Sequence, residues 1–528
     1  MLQTGDYIIP VFNARPRLEK PVFFHWMLTL SARVSDMLGI SLDTMGFRFV
    51  PLLMGWLVIL ALYLLGRRLL NHRGAFIAAV ILLTAYDFHD VSRELVVDMT
   101  LSACVLWSWL FFHVACGRLQ RGKPSSLPLL GMYVCLGCAC TTKGPFLLGI
   151  FFIVPALMYM AWTRRLSLLA RAGLWWGVPL SMVIGFHWFV LVKQNGQDPT
   201  NFFAIENIAR FFGRKDHIEP APFYFYLRTL PLFFAPWSVF LPFAAWWTYN
   251  KLRYDRSNLS DGAKLAVCTL GLSFLVVGTS ISKRHLYLIP LFPFLALWVA
   301  WFLERLCFSG NEVSAKPIVA HLLRGVGGAL FLGFASTFFW LPKMGGLSAE
   351  IAMCAILGTF VLVASIAAAN AVSNSNRVAA MGYMLVVPII LAFSMETVRR
   401  PIHERELNLT DFYTGVREKL GDRKLVIVGT NSNEASWYLD KTPGPIDQLK
   451  QEEMKSRFFD APNTAMLVSQ SLLSHSPALM GTVRPLSGTL VRNRDPFVLV
   501  EPDPNHPPDP SLFKARVTGN AAGAVDDL

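Results

Sequence analysis

Leu95-Val-Val-Asp-Met-Thr-Leu-Ser-Ala-Cys-Val-Leu-Trp-Ser-Trp-Leu-Phe-Phe-His-Val114 decides the fold. A helix needs about 20 predominantly apolar residues to cross a bilayer core, and this run supplies them with one acid, Asp98, near its start. Runs of the same kind, or nearly so, fall at roughly 47–65, 74–88, 127–142, 145–162, 173–192, 229–249, 263–281, 286–303, 320–341, 348–369 and 378–396. The pattern predicts about twelve spans, with 127–162 also readable as one broken helix. Polar turns return regularly between the runs. Since lipid tolerates only helices or closed barrels, this predicts an all-α polytopic membrane bundle.

Composition agrees. Of 528 residues, 54% are hydrophobic and 16% charged, against about 25% charged in soluble domains. Mean hydropathy is +0.44. These values argue against a soluble enzyme, and 13% aromatics argue against disorder. A net charge of +13 would suggest nucleic acid in a soluble protein. In a membrane protein it fits basic cytoplasmic loops, so no nucleic-acid partner is expected. The pair Cys135-x-x-Cys138 lies inside an apolar span with no second pair, which reads as buried structural thiols.

The loops alternate in charge. One set holds Arg67, Arg68 and Arg73; Arg118, Arg121 and Lys123; Arg164, Arg165 and Arg171; and Lys251, Arg253, Arg256 and Lys264. The short loops of the other set hold only Arg93, Lys143, Lys283 with Arg284, and Lys343. The positive-inside bias assigns the first set to the cytoplasm. Residues 1–46, the long loop 193–228 and everything after 397 then face outward. The basic segment 1–20 has no secretory signal ahead of it, so a further helix upstream is expected. The membrane domain is read as 1–397, a small soluble α/β domain as 398–502, and a disordered tail as 503–528. The soluble domain has strand-like runs at Lys424–Gly429, Ala465–Ser469 and Phe497–Val500, with a helix at Leu409–Leu420.

Polar chemistry gathers at the outward helix ends, where charge is costly and often functional. The first group is Arg17-Leu-Glu-Lys-Pro21 with Phe23, Phe24, His25 and Trp26. The second is Arg93-Glu94 with Asp98, where Glu94 and Asp98 share a helix face. The third is the helix break Thr141-Thr-Lys-Gly-Pro145. The fourth is Glu206-Asn-Ile-Ala-Arg210 with His217, and the fifth is Ser282-Lys-Arg-His-Leu-Tyr287. Singly, any of them can be a headgroup anchor, the first also reads as an interfacial amphipathic helix, and the second as a structural Arg–Asp pair. Five on one side predict a cavity that binds an anion. Lys20, Arg93, Lys143, Arg210 and Lys283 suit a phosphate.

The order and spacing of several segments resemble the bacterial transferases that attach aminoarabinose to lipid A, within the dolichyl-phosphate-mannose protein mannosyltransferase-like group. These segments are Gly5-Asp-Tyr-Ile-Ile-Pro10, Glu19-Lys-Pro21, Trp26, Leu64-Leu-Gly-Arg-Arg68, Arg93 to Met99, Lys143-Gly-Pro145, Glu206 to Arg210-Phe211, His217, Pro222-Phe223, and Ser282-Lys283 to Pro293. The resemblance runs from residue 1 to about 300 and rests on no single diagnostic word.

It implies the GT-C fold, a polyprenyl-phosphate sugar donor, a lipid A-like or protein acceptor, and an active site on the periplasmic face of the bacterial inner membrane. The family's first helix and the early acid just after it precede Met1-Leu2-Gln3. That leaves either a start assigned too late or an inactive relative.

Lys20, Arg93 and Lys283, with Tyr287 as a donor, are expected to stabilise the charge that grows on the leaving phosphate. Glu19, Asp98 and Glu206 are the acids able to serve an acceptor hydroxyl, and His285 lies in the same cavity. Glu19 and His217 sharing a divalent metal ion is an implication of the resemblance, and two ligands make an incomplete site. A transporter or lipid flippase is the rival reading. It predicts mid-span charges and inverted repeats, whereas here the charges sit at helix ends and no repeat is visible.

Overall fold

The computed structural model describes residues 1–2, 5–12, 15–18, 20–39, 44–199, 221–254, 259–308, 316–340, 348–374, 376–394, 397–398, 409–428, 435, 439, 447–448, 454–461, 463–475, 477–486, 490–492 and 495–508. It divides into two compact units, Met1–Pro10 with Leu18–Val398 and Val11–Arg17 with Arg399–Leu528.

The first unit is helical. Its first part holds α1 (Phe23–Met37), α2 (Thr44–Leu69), α3 (His72–Thr84), α4 (Tyr86–Val91), α5 (Val97–Gln120), α6 (Ser126–Lys143), α7 (Phe146–Trp162) and α8 (Leu174–Gln194). There follow α9 (Phe225–Phe233), α10 (Leu241–Tyr254), α11 (Asp261–Thr279), α12 (Phe292–Phe308), α13 (Lys316–Trp340), α14 (Ser348–Ser373) and α15 (Arg377–Ser394).

Among the described residues eight helices are long and apolar enough to cross a membrane, or nine if a bent pair counts as one span. The expected count of about twelve is therefore not reached by that measure. The runs 74–88 and 145–162 fall on short apolar helices, and 127–142 falls on α6, outside the eight. The run 229–249 is broken, with α9 and the segment Trp237–Tyr254 bent by 120°. Pro231 in the last turn of α9 and Pro236 within the break cannot donate to a helical ladder. The chain is a multi-pass membrane protein.

Close packing explains how α5 to α8 hold together. A π turn at Gly149–Ile153 displaces carbonyls from the α7 ladder. Ser273 donates to Ile150 O at 3.0 Å and the Trp109 indole to Phe151 O at 2.9 Å. Trp109 also meets Phe152 and Phe294 edge-on at 5.0 and 5.9 Å. Between α6 and α8, Thr141 donates to Ile184 O at 2.7 Å. A Cβ at Gly185 would come within 2.8 Å of Cys140 Sγ, so glycine lets these helices touch. Cys135 and Cys138 are free thiols on α6.

The second unit contains a hairpin, β1 (Val11–Phe12) with β2 (Arg15–Pro16). Its helix α16 (Thr410–Leu420) accompanies a six-stranded sheet: β3 (Lys424–Val428), β4 (Asp447–Gln448), β5 (Thr464–Ser469), β6 (Val483–Pro485), β7 (Leu490–Arg492) and β8 (Asp495–Pro502). The order is β4-β3-β5-β8-β6, with β7 also on β8. β3 runs parallel to β4 and β5, whereas β8 is antiparallel to its neighbours. Both faces are covered. Leu425 and Ile427 pack with α16, while Val426 and Val428 pack with Met454 and Phe458 on the other side.

Candidate active site

The first polar group is held by the segment ahead of α1. Gly5 has φ +69°, and the Asp6 carboxylate accepts from the N–H groups of Ile8 and Ile9 at 2.8 and 3.0 Å. This local turn aims two carbonyls at indoles. Trp26 donates to Tyr7 O and Trp188 to Ile8 O, both at 2.7 Å. The motif Gly5 to Pro10 thereby clips the entry of α1 to α8. Helix α1 buries Phe24, Thr29, Ala32 and Ser35 and exposes Leu30, Val34 and Met37, as suits a helix lying along a membrane surface. Lys20 is half-buried just before it and engages neighbours there.

Asp98 lies in the first turn of α5 and Lys143 in the last turn of α6. Each sign suits its helix end, because the N-terminus carries partial positive charge and the C-terminus partial negative. Gly144, at φ +91°, stops α6 and leaves the Lys143 side chain at the helix end. The two side chains form an ion pair, 4% exposed at Asp98 and 17% at Lys143. The Lys143 ammonium also stands 4.8 Å from the centre of the Tyr287 ring.

Tyr287 belongs to the 3₁₀ segment His285–Leu291 that leads into α12. At its start His285 Nδ1 lies 3.0 Å from Asp87 Oδ1, and Phe233 of α9 stacks on the imidazole at 4.9 Å. Asp87 is buried at 2% exposure on α4. Lys283 donates to Ala221 O at 2.9 Å and to Ser280 O. Two of its three N–H donors are thereby used within the protein. Partial burial holds the Lys283 ammonium below the ordinary lysine range. Tyr226 donates to Arg284 O at 3.2 Å and ties α9 to the same stretch.

The structure thus unites Asp98, Lys143, Tyr287 and His285 from the third and fifth sequence groups and the start of α5. Arg93 stands half-buried in the turn from α4 to α5 and has partners of its own. Glu19, Glu206, Arg210 and His217 lie outside the described residues, and with them both ligands of the expected metal pair. Among the described residues no group of three or more His, Cys, Asp or Glu could hold a metal. Two participants were not expected from the sequence, Asp87 and Phe233. The acidic string Tyr86-Asp-Phe-His-Asp90 was the available signal for the first, and nothing marked the second.

The sequence matches the family of dolichyl-phosphate-mannose-protein mannosyltransferases over residues 19–189. Undecaprenyl phosphate-alpha-4-amino-4-deoxy-L-arabinose arabinosyl transferase 1 of Pseudomonas fluorescens is 29% identical over 347 residues, 63% of this chain and 58% of that protein. The corresponding transferase of Edwardsiella ictaluri is 29% identical over 62% of this chain and 57% of its own length. The chain thus spans less than two thirds of these relatives.

The fold is that of the GT-C membrane proteins, as the resemblance in sequence implied. The particular likeness is to ArnT. The crystal structure of ArnT from Cupriavidus metallidurans bound to undecaprenyl phosphate superposes with a TM-score of 0.67, covering 94% of this chain and 91% of that one at 19% identity.

Proposed function

We propose that the chain is a membrane glycosyltransferase. It takes a sugar from a polyprenyl-phosphate donor and passes it to a lipid A-like acceptor on the periplasmic face of the inner membrane. The observation that carries this reading is the meeting of Asp98, Lys143 and Tyr287 at one end of α5 and α6. The likeness to transferases named for an undecaprenyl-phosphate aminoarabinose donor supplies the chemistry. Charges at helix ends rather than mid-span favour an enzyme over a flippase. The match to a protein mannosyltransferase family gives a protein acceptor as the second reading.

In the reaction the bond from the sugar's anomeric carbon to the phosphate oxygen breaks, and its electron pair stays on the lipid phosphate. The acceptor oxygen bonds the same carbon. Cations fixed before the reaction stabilise the leaving phosphate more than the intact donor, which lowers the barrier. Lys20, Arg93, Lys143, Arg210 and Lys283 are assigned that duty, with the Tyr287 hydroxyl as a neutral donor. Because Lys143 is paired with Asp98, an arriving phosphate shares that cation with the carboxylate. Asp98 moving toward an acceptor hydroxyl would leave Lys143 to the phosphate. Glu19 and Glu206 are the other acids proposed to take an acceptor proton, with His217 and His285 lining the cavity. A lipid phosphate acceptor, already ionised, needs no base. A divalent ion held by Glu19 and His217 stays an implication of the resemblance.

The test is mass spectrometry of lipid A from cells lacking their own transferase and expressing this protein. A pentosamine or hexose adduct that disappears with Lys283→Ala at unchanged membrane expression supports the proposal. Unmodified lipid A, with a labelled sugar appearing on protein instead, would favour the second reading. Transfer that survives both Lys143→Ala and Lys283→Ala would remove the proposed site.

A further inference from the structure

A second place in the membrane unit, which starts beside Lys143 at Cys140 and Pro145 and runs to the opposite helix ends, has the features of a binding site. An apolar cavity of about 320 Å³ opens between α5, α6, α7 and α8, walled by residues such as Met132, Leu136, Leu148, Ala156 and Met182. Its few polar wall groups are already engaged. Ser181 donates to Tyr133 O at 2.7 Å and the Tyr133 hydroxyl to Ala172 O at 2.9 Å. A cavity without vacant polar partners does not hold ordered water and favours hydrocarbon. Leu157 and Met182, at 41% and 56% exposure, open it to the outer surface of the bundle, where lipid lies.

The far end of the cavity is basic. Leu168, Leu169 and Ala172 close it there, on and beside the 3₁₀ turn Leu166–Arg171. That turn follows Arg164 and ends with Arg171, both exposed. Arg171 donates to the carbonyl of Leu119, itself a wall residue, at 3.3 Å, and the exposed Arg118 precedes Leu119. Arg165 differs because Asp261 neutralises it at 2.8 Å. Among the described residues Arg118, Arg164 and Arg171 have no carboxylate partner. Trp175, 84% exposed, stands beside them at the start of α8, the position of an interfacial tryptophan.

We propose that this cavity holds one acyl chain of an anionic phospholipid whose phosphate sits against Arg164 and Arg171. Basic pockets between membrane helices bind anionic headgroups, and the arginines lie at the end of the cavity remote from Lys143, where a donor phosphate would sit. The orientation given by the basic loops puts this phospholipid in the cytoplasmic leaflet, and the binding depends neither on that orientation nor on sugar transfer.

The full-length protein, stripped of lipid in detergent, is offered phosphatidylglycerol, phosphatidylcholine with the same chains, or undecaprenyl phosphate. Retained adducts are counted by native mass spectrometry. Phosphatidylglycerol should be retained roughly tenfold better than phosphatidylcholine. R164Q/R171Q, which alters exposed side chains only, should erase that preference and leave the weaker retention of phosphatidylcholine. Ala156→Phe, which fills the cavity, should reduce both. Equal retention of the two phospholipids by the parent protein overturns the proposal. So does a preference that survives R164Q/R171Q, or displacement of phosphatidylglycerol by equimolar undecaprenyl phosphate. None of these readings uses transferase activity, so the two proposals stand or fall separately.

Discussion

Asp87 and His285, 198 positions apart, meet with Oδ1 3.0 Å from Nδ1 and Oδ2 3.3 Å from it. The pair fixes the start of the 3₁₀ segment that carries Tyr287, and Tyr287 in turn faces Lys143. Asp87 is therefore a positioning residue for the candidate site. Asp87→Leu, which fills the space and removes the acceptor, should lower transfer by on the order of tenfold to a hundredfold, because small misplacements at a reacting centre are costly. The fall should appear in kcat more than KM, and Asp87→Asn should recover part of it. Unchanged kcat in a variant that melts normally would show that the segment holds its place without this contact.

The Asp98–Lys143 pair gives a thermodynamic prediction. Removing one partner of a buried pair strands the other charge and costs about 3–5 kcal/mol, whereas apolar replacement of both can be nearly neutral. The exposure of Lys143, at 17%, puts the cost at the lower end. Asp98→Ala and Lys143→Ala should each lower the melting temperature in detergent clearly, and Asp98→Leu with Lys143→Met should lower it less than the sum of the single changes. All three should lack transfer. Additive losses would mean that the pair is not coupled in solution.

Burial lowers the Lys283 pKa, so a pH window can be assigned. The charged form binds a phosphate and is lost as pH rises through that depressed value, below the usual value of about 10.4. Donor affinity should therefore weaken on the alkaline side earlier than it would for an ordinary lysine. Lys283→Arg, which stays charged, should flatten the alkaline fall in a binding titration. An identical alkaline limb in the parent and Lys283→Arg would show that some other group sets it.

The spans were legible because hydropathy is a one-dimensional signal, and a run such as Val97–Gln120 cannot be anything but buried in lipid or protein. Their number was less legible. Tertiary contacts decide that α3 stops at Thr84, whose hydroxyl accepts from the Trp237 indole at 2.9 Å, and that the chain turns by 120° between α9 and Tyr254. Lys143 was readable as a charged helix end from the Lys-Gly-Pro helix stop. Its partner was not, since no local pattern says which of Glu94, Asp98 and Glu206 it meets. Asp87 was hidden for a related reason. It sits where an apolar run ends, and the His285 that explains it lies far along the chain.

The glycines of α5 and α8 give predictions of opposite sign. At Gly185 an added Cβ would lie 2.8 Å from Cys140 Sγ and 2.9 Å from its Cβ, so Gly185→Ala forces α6 and α8 apart. Overpacking of this kind costs about 1–3 kcal/mol. At Gly117, near the end of α5, a Cβ would meet nothing within 4 Å. Gly117→Ala should therefore stabilise by roughly 0.5–1 kcal/mol, because it removes backbone freedom from the unfolded chain. Thermal melts of the two variants in one detergent check both signs at once. A Gly185→Ala protein as stable as the parent would mean that these two helices do not approach as closely as described. The wall of the apolar cavity that they share would then have to be redrawn.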